Sequence, residues 1–326
     1  MTEGNFQSYP LFFHPIFQYR IWGGEKLKTL FNKAIPDNRT GESWELSGLK
    51  EAPSVVSNGV YSGKNINELL EHFGVEILGE SVVEKYGNQL PLLFKLLDAR
   101  EQLSIQVHPN DELAQQRHNS FGKTEMWYVV QADSGSELIA GFEKNTSINE
   151  FKSALDSSTV TQLMRHHEVQ QGDTFFLETG TVHAIGAGIV IAEIQQTSDI
   201  TYRIYDFDRI DQDGKKRQLH IEESLDAINF NANNPKVGKS AKAANILVEC
   251  PYFNTYEVHL RTGANYIVEK RGVFTAFMLV SGAIDVYFND RVIGVSAGQT
   301  FLIPAAINDQ IIFKGAGTFL EVFVGS

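Results

Sequence analysis

A chain of 326 residues is long enough for one large domain or two or three ordinary ones, and 42% apolar with 21% charged residues is the composition of a folded globular protein, not of a disordered or low-complexity one. Lys and Arg number 28 against 40 Asp and Glu, a net charge of −12, so the overall field repels nucleic acid and anionic membranes, and an anionic ligand requires a locally basic pocket. The single cysteine, Cys250, excludes an internal disulfide and a thiolate metal cluster and suits a reducing cytoplasm; Met1–Pro10 carries no export-like start, and no apolar run approaches the ~20 residues of a membrane helix.

Between Tyr9 and Ser57, aromatic residues mix with Gly23, Gly24, Gly41 and Gly48, and short apolar runs broken by turn residues predict irregular strands. The character then changes. Ile66, Leu69, Leu70, Phe73, Val75 and Ile77, then Val82, Val83 and Leu92–Leu97, recur at roughly helical spacing and predict a small helical layer over residues 65–100. Alternation returns in Leu103–His108, Met126–Val130, Leu138–Phe142, Thr174–Leu177 and Ile189–Ile194, which read as short strands. A helical excursion over residues 147–168 interrupts them: Ser147 can cap, Glu150 lies three residues on, and Phe151, Leu155 and Leu163 follow. Asp213-Gly214 is a tight-hairpin signal, with Lys215, Lys216 and Arg217 beside it as a solvated turn. Pro235–Ala244 reads as a linker, dividing the chain into residues 1–234 and 245–326.

Two stretches repeat. Glu125–Ala132 parallels Thr275–Gly282, and Gly172–Glu178 parallels Gly298–Pro304, as two copies of one small β-barrel would require. The polar residues differ between copies: Glu125 falls opposite Thr275, and His183 opposite Asp309. Only the first copy is equipped for chemistry.

Gln106 and His108 lie two apart, so on a strand both point to one face while Ile105 and Val107 point to the other. Glu125 opens a later strand, and His183 follows a glycine turn at Gly180. Two imidazoles, a carboxylate and an amide oxygen suit a divalent ion with room for a further ligand, zinc before manganese, cobalt or iron. A lone histidine is more simply an ordinary hydrogen-bonded residue. The order His, Glu, glycine turn, His favours the metal.

These residues also carry a family resemblance. Gly172, Glu178, Gly180 and His183 are spaced as in the second motif of the cupins, with Glu178 where proline is usual, and Gln106–Glu125 resembles an expanded first motif. Ile21–Gly24, Gly41–Ser47, Pro91–Asp98, Gln106–Asp111 and Thr201–Asp206 narrow the resemblance to type I mannose-6-phosphate isomerases, short bacterial form, over the first two thirds of the chain. The implied fold is mainly β: two cupin (jelly-roll) barrels with a small helical insertion layer, the first catalytic and the second metal-free. The resemblance implies His108, Glu125 and His183 as zinc ligands, Gln106 as a fourth seen in longer members, Arg203 as the active-site arginine, and Lys123 as the lysine beside the ligand glutamate. Thr124 stands where longer forms have proline, and Ile185 where they carry an aromatic.

The implied reaction interconverts mannose 6-phosphate and fructose 6-phosphate by proton transfer through an enediolate, whose charge a zinc ion, one per chain, would stabilise. Arg203 stays protonated and can hold phosphate or enediolate. The base is Glu193, Lys123 or a metal-bound water. A plain reading makes Glu193 a surface strand carboxylate and Lys123 a solvated loop amine. His118 and the pair His166-His167 read as exposed residues of connecting segments, and Arg203, Asp206, Asp208 and Arg209 could form a surface ion-pair ladder. Trp44 and Glu45 either line the sugar pocket or are a buried tryptophan and a paired acid. Gly186 and Gly188 lack the third glycine of a dinucleotide fingerprint. The expected partner is a small sugar phosphate, with no nucleic acid or membrane, in a monomeric cytoplasmic protein. The alternatives are a non-catalytic sugar-phosphate-binding cupin and a metal cupin oxygenase.

Overall fold

The computed structural model describes residues 5–237 and 245–325. Its framework is three antiparallel sheets. A seven-stranded sheet runs in the order Lys236–Val237, Thr174–Leu177, Glu125–Ala132, Ile189–Gln196, Leu92–Ala99, Ile16–Gly24, Thr40–Leu46. A five-stranded sheet follows the order Tyr202–Tyr205, Ile105–Val107, His183–Ile185, Glu137–Phe142, Met164–Glu168. One apolar cluster, including Ile21, Leu97, Trp127, Leu138, Phe175 and Ile185, draws on both sheets and fills the first barrel. Alternate residues of the same strands, among them Phe94, Leu96, Met126 and Ile194, point outward into a second and larger core. That core is shared with a nine-stranded sheet built from the chain's last part, which takes in Leu11–His14 and Val55–Val56 from its beginning.

Burial on both faces explains one misreading. Leu92–Ala99, assigned by its spacing to the helical layer, is a strand in which every residue is buried. A strand sandwiched between two cores loses the apolar–polar alternation and shows a continuous apolar run, which periodicity alone cannot tell from a helix. The true helices are Ile66–Leu78, capped by the reciprocal Asn65 and Glu68 bonds, and Glu80–Tyr86; their buried Leu69, Leu70, Ile77 and Val82 face the shared core. The second excursion is likewise shorter than its pattern. Helix Ile148–Asp156 has the expected capping box of Ser147 and Glu150, and Phe151 packs it on the outer face of the five-stranded sheet. Met164–Glu168 is a strand, so His166 and His167 lie on a sheet edge and not in a connection. Gly214 adopts a left-handed φ of 77°, but only the bridge Ile210–Lys216 forms around that turn. Of the linker reading, Lys236–Val237 pairs with Thr174–Phe175, and 238–244 lie outside the described residues. Among the described residues no helix is long and apolar enough to cross a membrane.

The internal repeat holds at the level of register. In the first barrel Leu177 pairs with Glu125, Phe176 with Met126, Phe175 with Trp127 and Thr174 with Tyr128. In the nine-stranded sheet Ile303 pairs with Thr275, Leu302 with Ala276, Phe301 with Phe277 and Thr300 with Met278, the same partners one repeat on. The turn hydrogen bonds correspond too, Gly172 N–H to Val129 carbonyl at 2.8 Å and Gly298 N–H to Leu279 carbonyl at 2.7 Å. Both glycines are left-handed, with φ of 85° and 86°. A third strand extends the match: Glu193 lies opposite Trp127 as Glu321 lies opposite Phe277.

Candidate metal centre

Strand alternation sets the first two donors. Ile105 and Val107 go to the apolar layer under the Phe151 helix, which turns Gln106 to the barrel interior, and His108 follows at the strand end. Glu125 begins its strand opposite Leu177 and Gln195, wholly buried. His183 is brought alongside by pairing with Gln106 and Ala140, after a turn in which the Gly180 N–H bonds the His108 carbonyl at 3.0 Å. Gly180 has φ 86°, and a Cβ there would sit 2.8 Å from the Ala227 carbonyl oxygen, so only glycine fits.

His108, Glu125 and His183 thus converge, with their ligand atoms within 4.8 Å of one another. His108 Nε2 lies 3.6 Å from Glu125 Oε2, and His183 Nε2 lies 3.4 Å from Glu125 Oε1. Each ring donates Nδ1–H to a backbone carbonyl, His108 to Ile200 at 2.9 Å and His183 to Thr181 at 2.8 Å. Those bonds fix the tautomers and leave both Nε2 lone pairs facing the carboxylate. Burial keeps the rings neutral: His183 drops to about 4, mainly by desolvation, and His108 falls well below its ordinary value through desolvation and then Lys123. Desolvation, with Glu193 nearby, raises Glu125 despite Lys123. Glu125 Oε1 is buried without a hydrogen-bond partner. Two neutral imidazoles and an orphaned carboxylate oxygen fit a divalent cation by chemistry and by proximity. Gln106 sits beside them, its amide 3.2 Å from His183 Nε2.

Around this cluster lies a network of buried charge. Lys123, 3% exposed, bonds Glu125 and reaches His108 Nε2 at 3.2 Å, which rules out a solvated loop amine. Glu193 is 4% exposed and no surface carboxylate; it accepts from Trp127 Nε1 at 2.9 Å and faces Lys95 at 3.3 Å and Lys123 at 3.9 Å. Burial would raise its pKa, yet the Lys123 and Lys95 ammonium groups prevail and hold it below the usual carboxylate range. Glu42 forks onto Arg20 with two contacts of 2.9 Å and accepts from Trp44 Nε1 at 2.7 Å. Burial would raise Glu42, but Arg20 and Lys95 bring it to about 2.

A cavity of about 370 Å³ opens above the cluster, with Gln106, Lys123 and Glu193 among its walls. Arg20, Lys95, Lys123, Arg203 and Arg217 face it, against Glu42, Glu193, Asp199 and Asp211, so this pocket escapes the acidic balance of the whole chain. Arg203 donates Nη1–H to the Gln218 carbonyl at 2.8 Å, and its Nε is buried with no partner. The ladder reading of its neighbours fails. Asp206, 6% exposed, is clamped by Arg209 and by Arg217, whose Nε approaches to 2.8 Å, while Asp208 pairs separately with Lys216. Trp44 lies under Lys95, with the ammonium 5.2 Å from its ring, and Glu45 pairs with Lys33 at 2.7 Å away from the cavity. His118 bonds the Tyr202 hydroxyl and His166 faces Glu137, and neither belongs to the cluster.

Of the cavity residues that sequence reasoning missed, four show why. Lys95 had a readable signal, a lysine inside an apolar run, which must be paired when buried. Arg217 was hidden in what reads as a solvated turn. Arg20 and Glu42 carried no local mark, because only the register of Gln18 with Glu42 and its neighbours makes them meet.

Residues 11–152 match the family described as phosphomannose isomerase type I, catalytic domain. A mannose-6-phosphate isomerase of Bacillus subtilis is 36% identical over 310 residues, covering 92% of this chain and 94% of that protein. One from Streptococcus mutans is 41% identical over 253 residues, 76% of this chain and 78% of its own length. The crystal structure of the mannose 6-phosphate isomerase from Bacillus subtilis superposes with a TM-score of 0.88 at 32% identity, covering 98% of this chain and all of that one. With two barrels in common register and a His–Glu–His cluster in the first, the chain belongs to the type I mannose-6-phosphate isomerase family.

Proposed function

We propose that this enzyme interconverts mannose 6-phosphate and fructose 6-phosphate with zinc, by proton transfer through an enediolate. One observation carries the reading: two neutral imidazoles and an unpartnered buried carboxylate oxygen meet beneath a cavity of about 370 Å³ faced by arginines, the size range of small-ligand sites. Zinc would be held by His108, Glu125 and His183, with Gln106 as a fourth donor, a nitrogen and oxygen set without thiolate. When bound, the ion supplies Lewis-acid stabilisation of negative charge on substrate oxygens.

The remaining work falls to side chains. Glu193 is the base, taking the C2 proton of the open aldose and returning it at C1. Supporting this, its carboxylate lines the cavity and is kept ionised by Lys95 and Lys123. The Trp127 indole bonds Glu193 Oε2, orienting the carboxylate. Lys123, tied to Glu125, contributes fixed positive charge beside the enediolate. Arg203 binds the phosphate or the enediolate, since its guanidinium stays charged and its buried Nε lacks a partner.

A coupled assay of fructose 6-phosphate formation from mannose 6-phosphate, run before and after chelation and zinc return, tests the reading. Turnover should vanish with the metal and reappear with zinc; turnover indifferent to chelation defeats it. Arg203→Ala should cripple turnover at unchanged metal content.

A further inference from the structure

Two of the three clustered ligands are joined by a hydrogen-bonded clamp whose outermost member comes from the second barrel. Thr124 stands between Lys123 and Glu125, and Gln196 captures both of its backbone groups. Gln196 N–H donates to the Thr124 carbonyl at 3.1 Å, and the Thr124 N–H donates to Gln196 Oε1 at 2.8 Å. The other end of that amide, Nε2, donates to Asp111 Oδ1 at 2.9 Å. Asp111 lies three residues after His108, in the first turn of helix Asp111–His118. Its Oδ1 also accepts from the Gly122 N–H at 2.8 Å, and its Oδ2 accepts from the Tyr252 hydroxyl at 2.7 Å. The Lys123 N–H closes the ring by bonding the Pro109 carbonyl at 3.2 Å.

Chemistry leaves this clamp one orientation. A backbone N–H can only donate, so the amide oxygen of Gln196 must face Thr124, which leaves the amide nitrogen to donate to Asp111. Gln196 and Thr124 are buried at 3% and 4% exposure, which makes an unmade bond costly there. Tyr252 sits in the turn between strands Asn245–Glu249 and Asn254–Leu260 of the nine-stranded sheet, anchored by the wholly buried Phe253 next to it. We propose that Tyr252 is a positioning residue for the metal centre: through Asp111 and Gln196 it sets the spacing between the His108 end and the Glu125 strand, so the second barrel tunes a site it does not enter.

This rests on the metal reading above, and the test separates the two. The probe is Co²⁺ in place of zinc in the full chain, followed by its visible ligand-field bands and by its dissociation constant from chelator competition. Tyr252→Phe, which removes one hydroxyl and keeps the ring, should shift the cobalt bands and weaken binding by roughly two- to tenfold, below the 10–100-fold of groups that bond a metal ligand directly. kcat should fall while KM for mannose 6-phosphate holds. In a Gln196→Ala background the same change should do nothing further, because the link is already cut. Native cobalt bands and affinity in Tyr252→Phe overturn the clamp, as do fully additive effects in the double variant. If Gln196→Ala does not fold, the cobalt bands of Tyr252→Phe alone decide. A native chain that takes up no cobalt overturns the metal reading and the clamp with it, whereas a native centre untouched by Tyr252→Phe overturns the clamp only.

Discussion

The two barrels share strand registers, glycine turns and even a buried glutamate at the same ladder position, yet they dispose of charge in opposite ways. In the first, Glu125 Oε1 is left unpartnered beside two imidazoles, and a cavity of about 370 Å³ opens above them. In the second, Thr275 takes the place of Glu125, and Glu321, the counterpart of Glu193, has both oxygens occupied, by Arg271 at 2.8 Å and Tyr266 at 2.6 Å. The cavity by Arg271 and Thr275 shrinks to about 30 Å³, and Asp309, opposite His183 in the repeat, is exposed. One scaffold therefore serves two ends. A barrel whose buried carboxylate has both oxygens paired is a structural element there, and one that keeps an unmet carboxylate oxygen next to an opening can bind.

The largest test makes the first barrel resemble the second. Glu125→Thr should abolish turnover and metal uptake, a loss beyond the 10–100-fold typical of outer partners of metal ligands, read by metal analysis and the coupled assay. Glu193→Gln separates chemistry from metal binding: kcat should fall about 10²–10⁴-fold with metal content intact, and a wild-type kcat would move the base elsewhere. Acid should damage the first barrel through Glu42. Its folded pKa, about 2, lies below its ordinary 4.5, so between those values the unfolded chain binds more protons and stability rises with pH. The contribution of Glu42 with its partners Arg20, Lys95 and Trp44, about 3 kcal/mol by the linkage conversion, is full above pH 4.5 and lost as pH falls through 2. Thermal unfolding from pH 2 to 5 should lose part of that acid limb in Glu42→Gln. The smallest effect belongs to the quiet barrel: Glu321→Gln should lower stability by about 1–3 kcal/mol, by weakening a buried charged bond, and leave turnover unchanged.

Where the chain's own pattern sufficed, the reason was locality. Strand alternation has a period of two residues, so Gln106 and His108 could be assigned to one face without knowing what lay opposite. The capping box at Ser147 and Glu150 is likewise complete within four residues. Leu92–Ala99 failed for the converse reason, since its two buried faces belong to cores assembled from other segments.

By itself, then, the sequence determined the donor types, the face that His108 and Gln106 share, and the duplication that the registers later displayed, because each is a property of spacing along the chain. Tertiary structure alone decided that Lys95 and Glu193 meet, that Arg20 neutralises Glu42, that Arg217 turns inward, and that Tyr252 reaches Asp111 across 141 positions. These are facts of burial and strand pairing. An ionisable group's state depends on which charges stand within a few ångströms once water is gone, and strands far apart in the chain supply them.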